Sequence, residues 1–184
     1  MGRYHYDKKK TTVEECKSIS TTFLKQHDYL CGVRWGGMKW TRNEEETGSI
    51  GFVVSAQDWT GEIRFQYTQT QSYSGEKESL DYPVRLTAIP CRYGGKRWWF
   101  ICPLIKNGYA CNRRVLKLYL GGGKYFGCRH CYNLTYESCQ EHDARVDRLA
   151  KNPALLEQML RGGNPMASLV ALKAAFKQDK NFLP

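Results

Sequence analysis

Hydrophobic and polar residues alternate through much of the first half of the chain, between residues 31 and 101. In residues 61–69, for example, Ile63, Phe65 and Tyr67 would lie on one face of a strand and polar side chains on the other. Three further runs of this kind lie at residues 48–55, 82–87 and 97–102. The pattern predicts half-buried antiparallel strands, and therefore a small antiparallel β domain.

Two features of this region predict where strands end. Pro83 cannot donate a hydrogen bond to a neighbouring strand, so the strand at residues 82–87 is predicted to begin near it or to lie at a sheet edge. The polar residues 76–81 immediately before it predict a loop.

The first 30 residues predict an arm with short helices. Thr11 or Thr12 could cap a helix that begins at Val13, and a second short helix is predicted over residues 20–27.

The last part of the chain, residues 137–184, follows a helical pattern. One helix is predicted over residues 137–151. Asn152-Pro153 and Asn164-Pro165 each predict a new helix start, because Asn caps well and Pro is tolerated at the first helical position. Gly162-Gly163 would end the helix between them. The apolar stripe of the last helix comprises Met166, Leu169, Val170, Leu172 and Phe176. It would either pack on the β domain or form a partner-binding helical hairpin.

Four of the eight cysteines are spaced as metal ligands. Cys128 and Cys131 form a Cys-x-x-Cys knuckle, and Cys102 and Cys111 precede them by one hairpin length. Between the pairs, residues 115–120 alternate like a strand, Gly121 to Gly123 can turn, and residues 125–127 can return. This order of strand, hairpin and knuckle predicts a zinc ribbon that holds one structural Zn²⁺.

Alternatives to this ligand set involve the other cysteines. Eight residues separate Cys102 from Cys111, more than in most knuckles, although Asn107-Gly108 would let the loop bulge and return. Cys139 and His142 form a second Cys-x-x-His pair, which could replace one ligand. The remaining cysteines, Cys16, Cys31 and Cys91, are predicted to be buried small apolar residues, and His130 to lie on the surface.

Enzymatic activity is not predicted, although a metal-independent enzyme is a third hypothesis, with candidate acids such as Glu62, Asp81 and Asp58 scattered through the β domain without a recognisable pairing. Four cysteines would close the zinc shell, whereas a catalytic zinc keeps a position open for water. The chain contains neither a Gly-x-Ser-x-Gly nucleophile turn nor a phosphate-binding Gly-x-x-x-x-Gly-Lys loop, and Gly121 to Lys124 fall in a hairpin turn rather than before a helix. No small-molecule substrate is evident.

The net charge of +10 is concentrated in one segment. Residues 41–90 contain four basic and eight acidic residues, whereas residues 91–136 contain nine basic and no acidic ones. Such segregated charge favours a polyanionic partner over a merely solvated face. Among these cations, the residues that would contact nucleic acid are Arg113, Arg114, Lys117, Lys124 and Arg129. Aromatic side chains that could stack on bases are Trp98, Trp99, Tyr125 and Tyr132, although adjacent tryptophans on a strand face opposite sides and at least one should be core.

The expected cellular location follows from the absence of a signal-like or membrane-spanning apolar stretch in this sequence. The N-terminal residues 1–10 are polar and basic without an apolar stretch behind them, and no run is long enough for a membrane span. Unpaired cysteines as metal ligands suit a reducing compartment, so a cytoplasmic location without a membrane is expected.

Several short motifs in and around the cysteine region also resemble those of a known group of proteins. They are Gly94-Gly95, RWWF at 97–100, Cys102-Pro103, RRV at 113–115, Leu118-Tyr119 and FGCRHCYNLTY at 126–136. In these motifs the chain resembles a group of uncharacterised bacterial zinc-ribbon proteins that occur with phages and other mobile elements. The resemblance implies the metal role of the four cysteines and a mobile-element setting, and it finds no counterpart for the tail after Asp143.

The sequence therefore predicts an α+β protein: an arm with short helices at residues 1–30, an antiparallel β domain at 31–101, a zinc ribbon at 102–136 and a helical tail at 137–184. The function it favours is nucleic-acid binding as an accessory protein of a mobile element. The alternative is a protein adaptor that binds a larger nuclease, recombinase, polymerase or defence protein through the helical tail or a sheet edge.

Overall fold

The structure is a computed structural model that describes residues 10–70, 75–141, 143–161 and 169–175. The chain divides into two compact units, Met1–Tyr136 and Glu137–Pro184. The first contains a curled antiparallel sheet and the second contains helices, which confirms the α+β class. The finer division into four segments stays a prediction.

The elements follow one another along the chain in a simple order. The strands are β1 Lys17–Ser20, β2 Gly32–Arg42, β3 Glu45–Gln57, β4 Thr60–Thr70, β5 Lys77–Pro90, β6 Lys96–Ile101, β7 Ile105–Lys106, β8 Tyr109–Ala110, β9 Arg114–Val115 and β10 Lys117–Leu120. The helices are α1 Thr21–Gln26, α2 Glu137–Glu141, α3 Ala144–Ala150 and α4 Pro153–Arg161. Residues 169–175 are also helical.

Six strands form the main sheet in the order β2-β3-β4-β5-β6-β9, with every neighbouring pair antiparallel. Cross-strand partners on its buried face are large and apolar, as in Phe52 opposite Phe65 and Leu86 opposite Phe100. Such pairs are the unit of sheet stabilisation. The strands predicted from alternation are all present. β3, β4 and β5 extend beyond their predicted bounds, whereas β6 has the predicted length and begins one residue earlier.

One predicted loop is wrong. Residues 77–81 belong to β5, where they pair with the outer half of β4 in a register that sets Asp81 opposite Gln66. Their polar side chains face solvent while the backbone continues the ladder, so cross-strand pairing outweighs local polarity. Pro83 lies in an interior strand rather than an edge strand. It is tolerated there because β6 pairs with β5 only between Leu86 and Pro90.

The N-terminal arm forms one of its two predicted helices. The helix over residues 20–27 is confirmed as α1, and the Ser20 hydroxyl caps it by accepting from the Phe23 N–H. The helix at Val13 is wrong. The Val13 N–H donates instead to the Thr135 carbonyl, and the segment then continues into β1, so a long-range pairing replaces the helical turn.

The predicted strand at residues 115–120 breaks at Leu116. Its first part, β9, joins the main sheet beside β6, and its second part, β10, pairs with β1. The predicted return strand pairs with β10 through reciprocal backbone hydrogen bonds between Tyr119 and Gly127. The hairpin is therefore present, but its outer edge is completed by a strand from the N-terminus.

The hydrophobic core lies on the buried face of the main sheet. Ile19 of β1, Leu24 of α1 and Leu118 of β10 belong to the same buried cluster as the sheet residues. Phe126, from the return strand, is 1% exposed, and its ring stacks on Trp40 and packs against Phe65. The hairpin thus shares one core with the sheet.

The helical unit has a cluster of its own. Its buried members are Val146, Leu149, Leu156, Ala171 and Ala174. The single helix predicted over residues 137–151 is wrong, since α2 and α3 are separate and the Asp143 carboxylate caps α3 by accepting from the Arg145 N–H. The start at Asn152-Pro153 is confirmed, with the Asn152 side chain accepting from the Leu155 N–H.

Other predictions for the tail lie partly outside the described residues, including Gly162-Gly163, Asn164-Pro165, Met166 and Phe176. Of the predicted stripe, Val170 packs against the helical unit's own cluster, while Leu169 and Leu172 are about half exposed. No helix in the described part of the chain is long and apolar enough to cross a membrane.

Candidate metal centre and adjoining basic surface

Four thiols converge within the first unit. The Sγ atoms of Cys102, Cys111, Cys128 and Cys131 all lie within 4.8 Å of one another. Two of these separations are 3.9 Å, between Cys102 and Cys131, and 3.8 Å, between Cys111 and Cys128. Four sulfurs at about 2.3 Å from a common tetrahedral centre would be about 3.8 Å apart. The spacing therefore fits a four-coordinate metal ion.

The second pair sits on a tight knuckle. The Cys131 N–H donates to the carbonyl of Cys128 at 3.1 Å and also approaches its Sγ at 3.4 Å. The turn ends at Asn133, which has a left-handed φ of 52°, a conformation that Asn tolerates better than most residues. The Cys-x-x-Cys spacing thereby brings both thiols to the same side of the turn.

A small hairpin positions the first pair, Cys102 and Cys111, where the sequence predicted only a bulging loop. After Cys102 the chain forms β7 and β8 around an Asn107-Gly108 turn with φ values of 53° and 81°, which suits a two-residue turn of the mirror-image type. The Cys111 N–H then donates to the Leu104 carbonyl at 2.9 Å. The long spacing therefore returns Cys111 to the cluster, because residues 105–110 between the two ligands form the hairpin.

The thiols respond to burial and to one another. Burial raises the pKa of Cys102 to about 11, and it also raises the pKa of Cys131. Burial opposes ionisation at Cys128 too, but hydrogen bonds from the Cys131 N–H and from neighbouring thiols lower the pKa of Cys128 overall. The protonated forms of Cys102 and Cys131 are thus favoured until a cation is present, and coordination to a metal ion deprotonates such thiols.

The four cysteines could hold a metal ion, and together they would fill a tetrahedral shell. Cys139 is exposed in α2 and is not a member of the group, while His142 lies outside the described residues. The prediction that the other cysteines are buried is wrong for Cys31, which is exposed, and only partly right for Cys16 and Cys91, which are half-buried.

Close packing against glycines fixes the knuckle to the hairpin. A Cβ at Gly121 would lie 2.8 Å from Cγ of the Tyr132 ring, and one at Gly127 would lie 2.1 Å from Cδ1 of Leu104. The Tyr132 hydroxyl donates to the Tyr125 carbonyl, and burial raises its pKa to about 12. Tyr132 is therefore a packing residue rather than an open stacking surface.

The other predicted stacking residues differ in exposure. Trp98 is only 8% exposed and belongs to the core, as expected for one of two adjacent tryptophans. Trp99 faces the opposite side and is half-buried. Tyr125 is 43% exposed but its ring packs edge-on against Tyr82.

The predicted nucleic-acid contacts do not form one group. Arg113 lines a cavity beside Cys111 and Cys131, while Lys117 and Arg129 line the next cavity. Arg114 is exposed in β9 and lines neither. Lys124 lines neither cavity, and its ammonium pairs with Glu78 of β5 at 2.6 Å.

Basic residues nevertheless line a cavity beside the metal centre and two neighbouring cavities. Three cavities of about 440, 650 and 350 Å³ follow one another, because the first two share His130 and the last two share Leu116. We call their cations the basic strip. It comprises Lys106 and Arg113, then Lys117 and Arg129, then Lys25, Lys96 and Arg97. Among the described residues that line these cavities, Glu14 is the sole carboxylate.

The cations of the basic strip differ in their ion pairing from Lys39, Arg64 and Lys124. Lys39, Arg64 and Lys124 each form an ion pair with a carboxylate on the sheet or hairpin. Within the described ranges, no cation of the basic strip forms an ion pair. Clustered cations without anionic partners sustain a positive field that attracts polyanions.

Sequence reasoning missed part of this surface. Lys96, Arg97 and Lys106 lie in the segment without acidic residues. The sequence therefore showed their charge but not where they would lie on the surface. Lys25 comes from α1, far away in sequence, and only the packing of α1 beside β6 brings it to the same surface.

Comparison of the chain with protein-family models, with curated proteins and with solved structures gives no match.

Proposed function

We propose that this chain is a non-enzymatic, zinc-binding accessory protein that binds nucleic acid along the basic strip. The observation that carries the proposal is the run of three adjoining cavities beside the four-cysteine centre, whose seven cations form no ion pair within the described part of the chain. Nucleic-acid backbones present regularly spaced phosphates, and each phosphate contact by Lys or Arg adds to affinity and to its salt dependence. The mobile-element setting rests on the sequence resemblance alone.

The metal in this proposal is Zn²⁺ in a structural role. Four thiolates in a tetrahedron favour zinc, with iron as the main competitor. Metal analysis of the purified protein should give about one zinc per chain, and the Cys128→Ser variant should give much less. A stoichiometric iron content, or undiminished zinc in the variant, would contradict this assignment.

Binding to nucleic acid is tested by fluorescence anisotropy with labelled duplex DNA, single-stranded DNA and RNA across a salt series. We expect affinity to fall steeply with salt, with a slope of about −0.7 to −0.9 per phosphate contacted. Two separate charge reversals in the basic strip, Arg113→Glu and Lys117→Glu, should each weaken binding at least tenfold and make the slope shallower.

A matched control lies in the same hairpin. Lys124→Glu makes the same charge change at a cation that is already paired with Glu78 and lies off the basic strip. It should change affinity much less than either reversal in the strip. Absence of binding at low salt, or equal losses in all three variants with zinc content unchanged, would refute binding by the strip.

A second candidate is the protein adaptor. Two sets of exposed apolar side chains favour it: Val33 and Trp35 on β2, the end strand of the main sheet, and Leu160, Leu169 and Leu172 in the helical unit. Deleting residues 152–184 should abolish a partner bound through the tail and spare nucleic-acid binding. Charge reversal at Arg113 and Arg114 should do the opposite.

A further inference from the structure

The middle cavity of the basic strip differs from its two neighbours. At about 650 Å³ it is the largest of the three, and it lies within the usual size range of small-ligand sites. Its lining includes three aromatic residues, two cations and one carboxylate, which are Trp99, Tyr119, Tyr136, Lys117, Arg129 and Glu14. The combination of flat apolar rings with cations matches an aromatic base that carries a phosphate.

Two features of this cavity suit such a ligand. The Arg129 guanidinium lies 5.1 Å from the centre of the Tyr136 ring, and Tyr136 is still 42% exposed. Arginine held against an aromatic ring keeps its planar set of N–H donors, which suits phosphate oxygens. The Trp99 indole Nε1–H is buried and has no acceptor among the described residues. Buried donors are almost always satisfied in native proteins, and Trp99 lines this cavity, so a bound group that displaced the atoms covering Nε1 would satisfy it.

We infer that the middle cavity receives one unstacked nucleotide, and that the protein therefore prefers single-stranded over duplex nucleic acid. This inference rests on the proposed function. Tyr136 and Trp99 contact the base, while Lys117 and Arg129 contact the adjacent phosphates. A paired base cannot enter without being taken out of its stack, which costs free energy that a single strand does not lose.

The first experiment uses the zinc-loaded protein without substitutions. Single-stranded oligonucleotides are compared with duplexes and with strands of the same length that carry abasic sites. The inference predicts that single strands bind at least tenfold more tightly than duplexes, and that abasic strands lose most of this advantage although their phosphates are intact. Equal binding of normal and abasic strands would overturn the inference and leave binding by the basic strip standing.

The second experiment uses a variant with a close control. Tyr136→Leu removes the ring, Tyr136→Phe keeps it, and Tyr93→Leu removes a ring that Arg92 approaches at 6.0 Å but that lies off the cavity. Tyr136→Leu should weaken single-strand binding about tenfold with duplex binding unchanged, whereas Tyr136→Phe and Tyr93→Leu should bind like the unaltered protein. Equal loss for single strands and duplexes would contradict a base-binding role.

The third experiment separates this inference from the proposed function. Nucleoside 5′-monophosphates are titrated into the protein by calorimetry, with inorganic phosphate as the comparison. Saturable binding of a monophosphate that phosphate does not reproduce, and that Trp99→Phe weakens, supports the cavity even if no polymer binds. If neither polymers nor monophosphates bind, both the inference and the proposed function are wrong.

Discussion

The two compact units of this chain are stabilised by different means. In the first, the buried cluster joins residues from β1 to Phe126, and the strands that it connects are far apart in sequence. In the second, within its described part, the buried cluster has five side chains between Val146 and Ala174, and two of them are alanines. The first unit also has a four-cysteine group, whereas Cys139 is the single cysteine among the described residues of the second unit.

This difference indicates how each unit is stabilised. Short helices with few buried side chains gain little from burial, since a fully buried aliphatic side chain contributes about 1.5–3 kcal/mol. The knuckles of the first unit have little regular structure, and β7, β8 and β9 are two residues each. Such short elements need an additional constraint, and a metal ion at the four cysteines would supply it. The first unit is thus the one that should depend on metal.

Metal removal should give the largest effect. Structural zinc contributes about 10–16 kcal/mol in small zinc modules, which is comparable with the whole stability of a domain, about 5–15 kcal/mol. A strong chelator should therefore abolish the near-ultraviolet circular dichroism of the first unit, while the amide resonances of α4 persist.

The variant Cys131→Ser should reproduce the effect of the chelator, and Cys139→Ser, which alters an exposed cysteine outside the group, should not. A chelated protein that unfolds at the same temperature as the untreated one would show that the fold does not depend on metal.

Removal of one aromatic side chain should give the next largest effect. Phe126 is 1% exposed and packs against Trp40, Phe65 and Tyr67, so Phe126→Ala should cost about 3–5 kcal/mol in the free energy of unfolding. Leu156→Ala in the smaller helical cluster should cost less, about 2 kcal/mol, because a loose cluster can collapse around the vacancy. Urea unfolding followed separately for each unit by NMR measures both. A larger loss for Leu156→Ala would reverse the comparison.

A single methyl group should have a smaller effect that is confined to the first unit. Gly121→Ala would place a Cβ 2.8 Å from Cγ of Tyr132 and should destabilise the unit by about 1–3 kcal/mol. Gly51 of β3 is the control, because a Cβ there would meet only the Gln66 carbonyl at an ordinary contact distance of 3.6 Å, so Gly51→Ala should be nearly neutral. Thermal unfolding of the two variants measures this difference in stability. Equal melting temperatures would mean that Tyr132 is free to move.

The smallest effect concerns pH and the helical unit. Hydrogen bonds from the Arg145 side chain and backbone lower the pKa of Asp143 to about 2. Because the folded-state pKa is below the unfolded value of about 3.9, the cap stabilises α3 fully above about pH 4 and loses this effect as pH falls through about 2. The ¹³C shift of the Asp143 carboxyl should titrate near pH 2, and Asp143→Asn should keep α3 capped without titration. A midpoint near pH 4 would show that the cap is not formed.

The sequence by itself determined the parts of this protein that depend on local pattern. Alternation located the strands at residues 48–55 and 61–69, Ser20 marked the start of α1, and the Cys128 and Cys131 knuckle pointed to its partners, Cys102 and Cys111. The strand and helix signals lie within a short stretch of chain around the feature that they predict, and the cysteine signal is a spacing along the chain. Asn107-Gly108 belongs with them, because the turn that it forms explains an unusually long spacing between two ligands.

Only the tertiary structure decided which segments meet. It paired β1 with β10, extended β5 through a polar stretch, and replaced the helix at Val13 with a contact to Thr135. It also determined which cations form an ion pair and which lie in the basic strip. Lys124 pairs with Glu78, and Lys25 joins the basic strip. The physical reason is common to all of these. Strand pairing and charge neighbourhoods depend on contacts between residues far apart in the chain, and such contacts leave no periodic trace in the sequence around either partner.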